Sequence, residues 1–239
     1  MKSTMKKLSI GSWAYLFKQD VPTNDFHALV HKLMHVGYQG IELYGHAPHP
    51  NLDSHDTREK RQKLRKMVVD HRLDFSSYAP HLSSERLWSV DDPTPFIGLF
   101  ERHAIFAEDL GIKTIRVDTV EPVVNAANVG SKILLDRCIQ AFDKCAKVAA
   151  NHGLTIAWEF EHCLAINKPS EIVALVDAVR SHGNTNFGAL FDTANAHMCA
   201  VVGANQIGEK ETLAGGVLDA DVGKPIAGPA AVREHPGIE

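Results

Sequence analysis

Short apolar runs alternate along the chain with longer stretches in which apolar residues recur every three to four positions. That alternation is expected of repeated βα units around a parallel sheet. Six runs read as strands, at 8–13, 40–44, 74–78, 114–118, 154–160 and 187–192, and Gly37, Gly111, Gly153 and Gly183 stand ahead of four of them as helix-closing residues. The clearest helical period covers 131–152, where Leu134, Cys138, Ala141, Phe142, Cys145, Val148 and Ala149 form one stripe. This predicts a helix packed on the outside of the sheet. The stretch 25–36 repeats the pattern through Phe26, Leu29, Val30 and Leu33, whereas 57–71 is more charged. Ser170, with Pro169 before it and Glu171 and an apolar run after it, marks the start of the helix that follows the fifth strand.

Two of the strand-like runs end on acids, Glu159 in 154–161 and Asp192 in 187–192, thirty-three positions apart. Right-handed crossovers bring the C-terminal ends of parallel strands to one face, where successive strand-end side chains converge. With a side-chain period of two, Trp158 and Phe160 turn one way and Ala157, Glu159 and Glu161 the other. On the next strand Ala189 and Phe191 turn outward to the helices, and Gly188, Leu190 and Asp192 inward. Carboxylates meeting in this way can share a divalent cation; the alternative is that both are ordinary strand-end or cap residues. Glu42 shares a face with Tyr44 and reads equally as a site residue or half of a structural salt bridge. His81 follows the third strand in a position suited to orienting a substrate, and Trp13 reads as core packing. Of the 14 histidines, His27, His31, His35, His71, His103 and His152 fall in helical stretches and read as surface positions. His46, His49, His81, His162 and His197 follow strands.

Composition narrows the class of partner. A chain of 239 residues with 44% hydrophobic and 23% charged residues has material for a sizeable core in one α/β domain. A net charge of -4 offers no general field for phosphate backbones, so nucleic acid is not expected, and the basic run from Arg58 to Lys66 reads as a solvated helix face. No apolar stretch reaches the roughly eighteen residues that span a bilayer, and the first residues are not followed by a secretory apolar segment. The expected address is cytoplasmic, with no membrane contact. Cys138 and Cys145 lie too far apart along one helix to bridge, and Cys163 and Cys199 form no zinc-like pair, so reduced thiols are expected.

The character of the chain changes after Leu213, since 13 of the 26 residues from 214 to 239 are Gly, Ala or Pro. The expected division is a barrel domain over 1–213 and an irregular tail over 214–239. Six units take up 197 residues, and the remaining 42 have room for one more unit rather than the two that would make eight.

The runs Ile156-Ala-Trp-Glu-Phe-Glu161 and Leu190-Phe-Asp-Thr-Ala-Asn-Ala-His197 resemble those of the xylose-isomerase-like TIM barrels. The resemblance covers about 8–213. It implies a (β/α)8 barrel, here incomplete with about six βα units, and a metal-dependent sugar or sugar-phosphate isomerase or epimerase. In such enzymes a divalent metal is held by a Glu ending the fifth strand, an Asp ending the sixth, a His from the seventh and a Glu from the eighth. The first two map onto Glu159 and Asp192; the tail offers only His235, Glu234 and Glu239 for the others. Where family members read Asp-Thr-x-His, this chain has Asp192-Thr-Ala-Asn195, with His197 two residues on. Asn195 can hydrogen-bond a sugar hydroxyl but cannot carry a proton as imidazole does. The implied roles are Glu159 as catalytic base and metal ligand, Asp192 as metal ligand, Glu161 in reserve, and Glu42, His81, Asn195 and His197 as substrate-binding groups. The implied cofactor is Mn²⁺, Mg²⁺, Co²⁺ or Zn²⁺, and the partner a sugar or sugar phosphate, with a homo-oligomer possible. The alternatives are an endonuclease-IV-like metal phosphoesterase, which the acidic balance and Asn195 disfavour, and a non-catalytic barrel remnant with exposed sheet edges that pairs with another copy.

Overall fold

The computed structural model describes residues 7–16 and 24–213. Six strands, β1 (Ser9–Gly11), β2 (Gly40–Gly45), β3 (Asp74–Pro80), β4 (Thr114–Val117), β5 (Thr155–Glu159) and β6 (Phe187–Leu190), form one parallel sheet in sequential order. The helices are α1 (Phe26–Val36), α2 (Arg58–Asp70), α3 (Thr94–Asp109), α4 (Ser131–Asn151), α5 (Pro169–Ser181) and the short α6 (Thr193–His197). These are six βα units of a barrel wall, as expected, and the tail expected over 214–239 lies outside the described residues.

The local chemistry explains where the helices begin and end. Asp25 caps α1 by accepting from the Ala28 N–H at 2.8 Å, and Phe26, Leu29, Val30 and Leu33 bury its inner stripe. At its end Gly37 sits at φ +96° while its N–H and that of Tyr38 both reach the Leu33 carbonyl, a left-handed cap that a side chain would strain. Thr57 caps α2 through the Lys60 N–H at 3.3 Å. On α4 the stripe from Leu134 to Ala149 is buried against the sheet, with Phe142 wedged between Trp158 of β5 and Phe187 of β6.

The outward face of each strand carries the apolar load. Ile41, Leu43, Tyr78, Ile115, Val117, Ile156 and Trp158 are buried under the helices. The polar members of β2, β4 and β5 point the other way, into the lumen, where the site lies. β6 departs from the expectation. Ala189 and Phe191 turn outward, but no helix among the described residues covers them, and Phe191 is 72% exposed with one edge-on contact to Phe160. Two expectations about single residues are also corrected. His103 on α3 is 2% exposed rather than a surface position, because its ring is held by the Tyr78 hydroxyl and the His81 carbonyl. Trp13 is not core: β1 ends at Gly11, and Trp13 sits in a following 3₁₀ turn, 40% exposed.

Candidate active site at the strand ends

The lumen is built on β2, β4 and β5. Arg116 of β4 lies in register with Ala157 of β5, so Glu159, two residues further along, is its diagonal neighbour on the same face. The small Ala157 leaves room for the arginine stem, and the Arg116 Nη1 donates to Glu159 Oε2 in an ion pair that is largely shielded from solvent, at 20% and 8% side-chain exposure. Glu42 of β2 accepts from Trp13 Nε1 at 3.2 Å and from Ser77 Oγ at 2.7 Å. The second bond depends on an irregularity in β3: Ile41 pairs with Phe75 but Glu42 with Ser77, so Ser76 is an extra residue and the bulge turns Ser77 inward.

Carboxylates outnumber cations here. Burial works against the Arg116 charge, but Glu159, Glu42, Asp118 and Glu161 outweigh it and hold its pKa above the ordinary guanidinium value. Burial raises the Glu159 pKa, and Asp192 and Glu42 add to the rise against the pull of Arg116. Glu161 is pushed up to about 7, first by burial and then by the charges of Asp118 and Glu159. Asp118 is raised by burial, partly offset by the Val120 N–H at 2.6 Å and by Arg116. An excess of buried negative charge is relieved by protons or by an added cation, and carboxylate oxygens suit a hard divalent ion.

Glu159 pairs with Leu190 across β5 and β6, so Asp192 follows two residues beyond its partner at the same end of the sheet. Asp192 lies past the end of β6 and caps α6, its Oδ1 accepting from the Asn195 N–H at 2.7 Å. The cap reading of this residue is the one the hydrogen bond shows directly. Carboxylate oxygens are the donor type a divalent cation takes, but Glu159 is already ion-paired to Arg116. Among the described residues, however, no group of three or more His, Cys, Asp or Glu side chains is placed to hold one ion.

The other expected site residues divide. Glu42 is in the cluster, bonded by hydroxyl and indole rather than paired as a salt bridge. The Asn195 Oδ1 accepts from His162 Nδ1 at 2.9 Å, which ties the loop after β5 to α6. His197 ends α6 on the exposed surface. His81 stands apart: its ring lies 4.4 Å from that of His46, beside a cavity of about 590 Å³ that His46, Asn51, Ser54 and Arg102 also line and that Glu42, Glu159 and Asp192 do not. Its pKa is lowered by burial and by His46. Sequence reasoning missed Arg116 and Asp118. The alternation of Ile115 and Val117 with Thr114 and Arg116 on β4, continued by Asp118 just past its end, carried the signal.

Residues 30–220 match the family described as xylose isomerase-like TIM barrel. No curated protein sequence matches the chain. Among solved structures, a D-psicose 3-epimerase crystallised in the presence of D-fructose superposes with a TM-score of 0.61 at 20% identity, covering 81% of this chain and 65% of its own. The IOLI protein with a bound zinc atom gives a TM-score of 0.63 at 15% identity, again over 81% of this chain and 65% of that one. An L-ribulose 3-epimerase gives 0.60 at 16% identity, over 81% and 63%. The chain thus spans under two thirds of the length of each of these proteins, and at these identities the likeness is one of fold. With the match covering most of its length and the parallel βα wall in place, the chain belongs to the xylose isomerase-like TIM barrel family.

Proposed function

We propose that this chain is a metal-dependent isomerase or epimerase of a sugar or sugar phosphate, working by proton transfer next to a carbonyl. The observation that carries the reading is geometric: Glu159 closes β5 opposite Leu190 of β6, and Asp192 follows two residues further along at the start of α6, beside a lumen with more carboxylates than cations. The named activities of the psicose and ribulose 3-epimerases, which share the fold, point to a keto-sugar as the substrate class.

Glu159 and Asp192 would hold the divalent cation, with Mn²⁺, Mg²⁺, Co²⁺ or Zn²⁺ compatible with carboxylate ligands. Bound there, the cation would supply Lewis-acid polarisation of substrate oxygens, which would make the C–H beside a carbonyl more acidic. Glu159 is the base that takes this proton, on the oxygen turned to the substrate. Glu161, raised to about 7 by burial, Asp118 and Glu159, can gain or lose a proton near neutrality and is the reserve candidate for the proton-transfer role. Glu42, fixed by Ser77 and Trp13, offers acceptor oxygens to sugar hydroxyls, and the exposed Trp13 ring gives the sugar an apolar face. Asn195 takes a hydroxyl-binding role.

The test is an assay of purified protein on a panel of keto-sugars and their phosphates, with each cation added in turn and products resolved by chromatography. Epimer or aldose formation that disappears in Glu159→Gln is expected. No conversion of any sugar under any cation would remove the proposal.

A further inference from the structure

The cavity of about 590 Å³ opens between the loop after β2, the end of β3 and α3, and its volume suits a small molecule. Gly45 of β2 stands in register with Pro80 of β3, so the next residues, His46 and His81, emerge side by side, with ring centroids 4.4 Å apart. The walls are held in place. His103 Nε2 donates to the His81 carbonyl at 3.2 Å, which ties the end of β3 to α3 and sets Arg102, the residue before it, on the same cavity. On the loop wall, Asn51 Oδ1 accepts from the N–H groups of Asp53 and Ser54 at 3.0 and 3.1 Å. Arg61, paired with Asp109 of α3, donates from Nε to the His55 carbonyl at 2.8 Å. A ligand therefore meets a preformed surface.

The donors on that surface select the ligand. The Arg102 guanidinium makes no hydrogen bond or ion pair among the described residues, so its charge is open to a ligand. His46 Nδ1 donates to the Ala47 carbonyl at 2.9 Å, which leaves Nε2 to take a proton or, once protonated, to donate to an anion. A phosphate monoester loses its second proton at about pH 6, so it carries either the proton or the charge that this nitrogen complements. Ser54 and Ser84 add hydroxyls, and the exposed Asp53 opposes an anion but is outnumbered by one guanidinium and two imidazoles.

We propose that this cavity binds a phosphate group, free or carried on a small molecule, with Arg102 as the fixed charge and His46 and His81 as the groups that match its protonation. The site is separate from the lumen acids and stands whether or not Glu159 and Asp192 take a cation.

The experiment is titration of the isotopically labelled full chain with inorganic phosphate, with a ketose phosphate and with the same ketose unphosphorylated, at constant ionic strength and near-neutral pH, read by nuclear magnetic resonance of the imidazoles. Saturable shifts of His46 and His81 with both phosphates, and none with the free ketose, are expected. Arg102→Met should weaken phosphate binding by about tenfold, the loss of one charge-assisted partner, while Lys63→Met, which removes a charge from the exposed face of α2, should stay within about twofold of wild type. Tighter binding of the ketose phosphate would identify a phosphorylated sugar as the ligand, and equal binding would identify free phosphate; both support the site. Unmoved imidazole resonances at high phosphate, equal losses in Arg102→Met and Lys63→Met, or a free ketose that binds as tightly as its phosphate would each overturn the proposal. Should circular dichroism show that Arg102→Met does not fold, Arg102→Gln takes its place, and the wild-type titrations decide the first and last of these outcomes without either variant.

Discussion

Lowering the pH from 7 to 5 should destabilise the fold through one buried imidazole, that of His103. Its Nε2 faces the His81 carbonyl at 3.2 Å, which only accepts, so Nε2 carries the proton and the bare Nδ1 accepts from the Tyr78 hydroxyl at 2.7 Å. Protonating Nδ1 would force the hydroxyl to reverse inside the core, where Tyr78 is fully buried. Burial, foremost, lowers the His103 pKa to about 4 from its ordinary 6.5, even though the His81 carbonyl favours the charged form. Between those values the unfolded chain binds a proton that the folded one does not. The stabilisation is therefore complete above pH 6.5 and is lost as the pH falls toward 4. The full shift corresponds to about 3 kcal/mol, of which about 2 kcal/mol is gone by pH 5. Glu161 works in the opposite sense: its carboxyl, raised to about 7, contributes stability at low pH that disappears as the pH rises through 7. The wild-type profile alone therefore mixes the two, and the informative quantity is the difference between wild type and His103→Gln in urea unfolding from pH 4.5 to 8. That difference should change by about 2 kcal/mol between pH 7 and pH 5, with wild type losing more on acidification. Parallel curves over the whole range would refute the reasoning.

Three further outcomes follow from the packing and the caps. Phe142→Ala opens a hole between Trp158 and Phe187 and should cost about 3–5 kcal/mol, read as a shift in the urea midpoint with an unchanged slope. Gly37→Ala should cost about 1–2 kcal/mol from backbone strain alone, because φ is +96° and nothing lies within 4 Å of the added methyl; calorimetry would show it as a lowered melting temperature. Asp192→Asn keeps the acceptor that caps α6 and should leave stability within about 0.5 kcal/mol of wild type while removing a ligand charge, whereas Asp192→Ala should lose about 1 kcal/mol as well; paired melting and Mn²⁺ titrations separate the two effects.

The fold could be read from the sequence wherever a long period and a marked end coincided. The stripes from Leu134 to Ala149 and from Phe26 to Leu33 carry their own evidence, so α1 and α4 fall within a residue or two of their expected bounds, while the charged stretch 57–71 gave α2 a weaker period. The helix Thr94–Asp109 has no such stripe, because Phe96, Phe100, His103, Ala104, Phe106 and Ala107 spread its buried face widely, and a buried histidine breaks the apolar pattern. Around the lumen, the position of Glu159 at the end of β5 was legible from the strand period, whereas Asp192 falls two residues past β6, at the cap of α6. The β3 bulge that aims Ser77 at Glu42 was not, since an extra residue leaves no mark in a run such as Asp74-Phe-Ser-Ser-Tyr78. Arg116 was hidden for a different reason: a lone basic residue in a strand gains its meaning only from acids distant in sequence, on β2 and β5.

The central claim is that Glu159 removes a proton beside a sugar carbonyl, and its most direct test is the fate of that proton in heavy water. A ketohexose incubated in D₂O with the protein and Mn²⁺ should gain deuterium at the carbon next to its carbonyl, seen by nuclear magnetic resonance as loss of the corresponding proton signal, and Glu159→Gln should abolish the exchange. Exchange that proceeds undiminished in Glu159→Gln, or no exchange from any ketohexose with the protein fully loaded with metal, would contradict it.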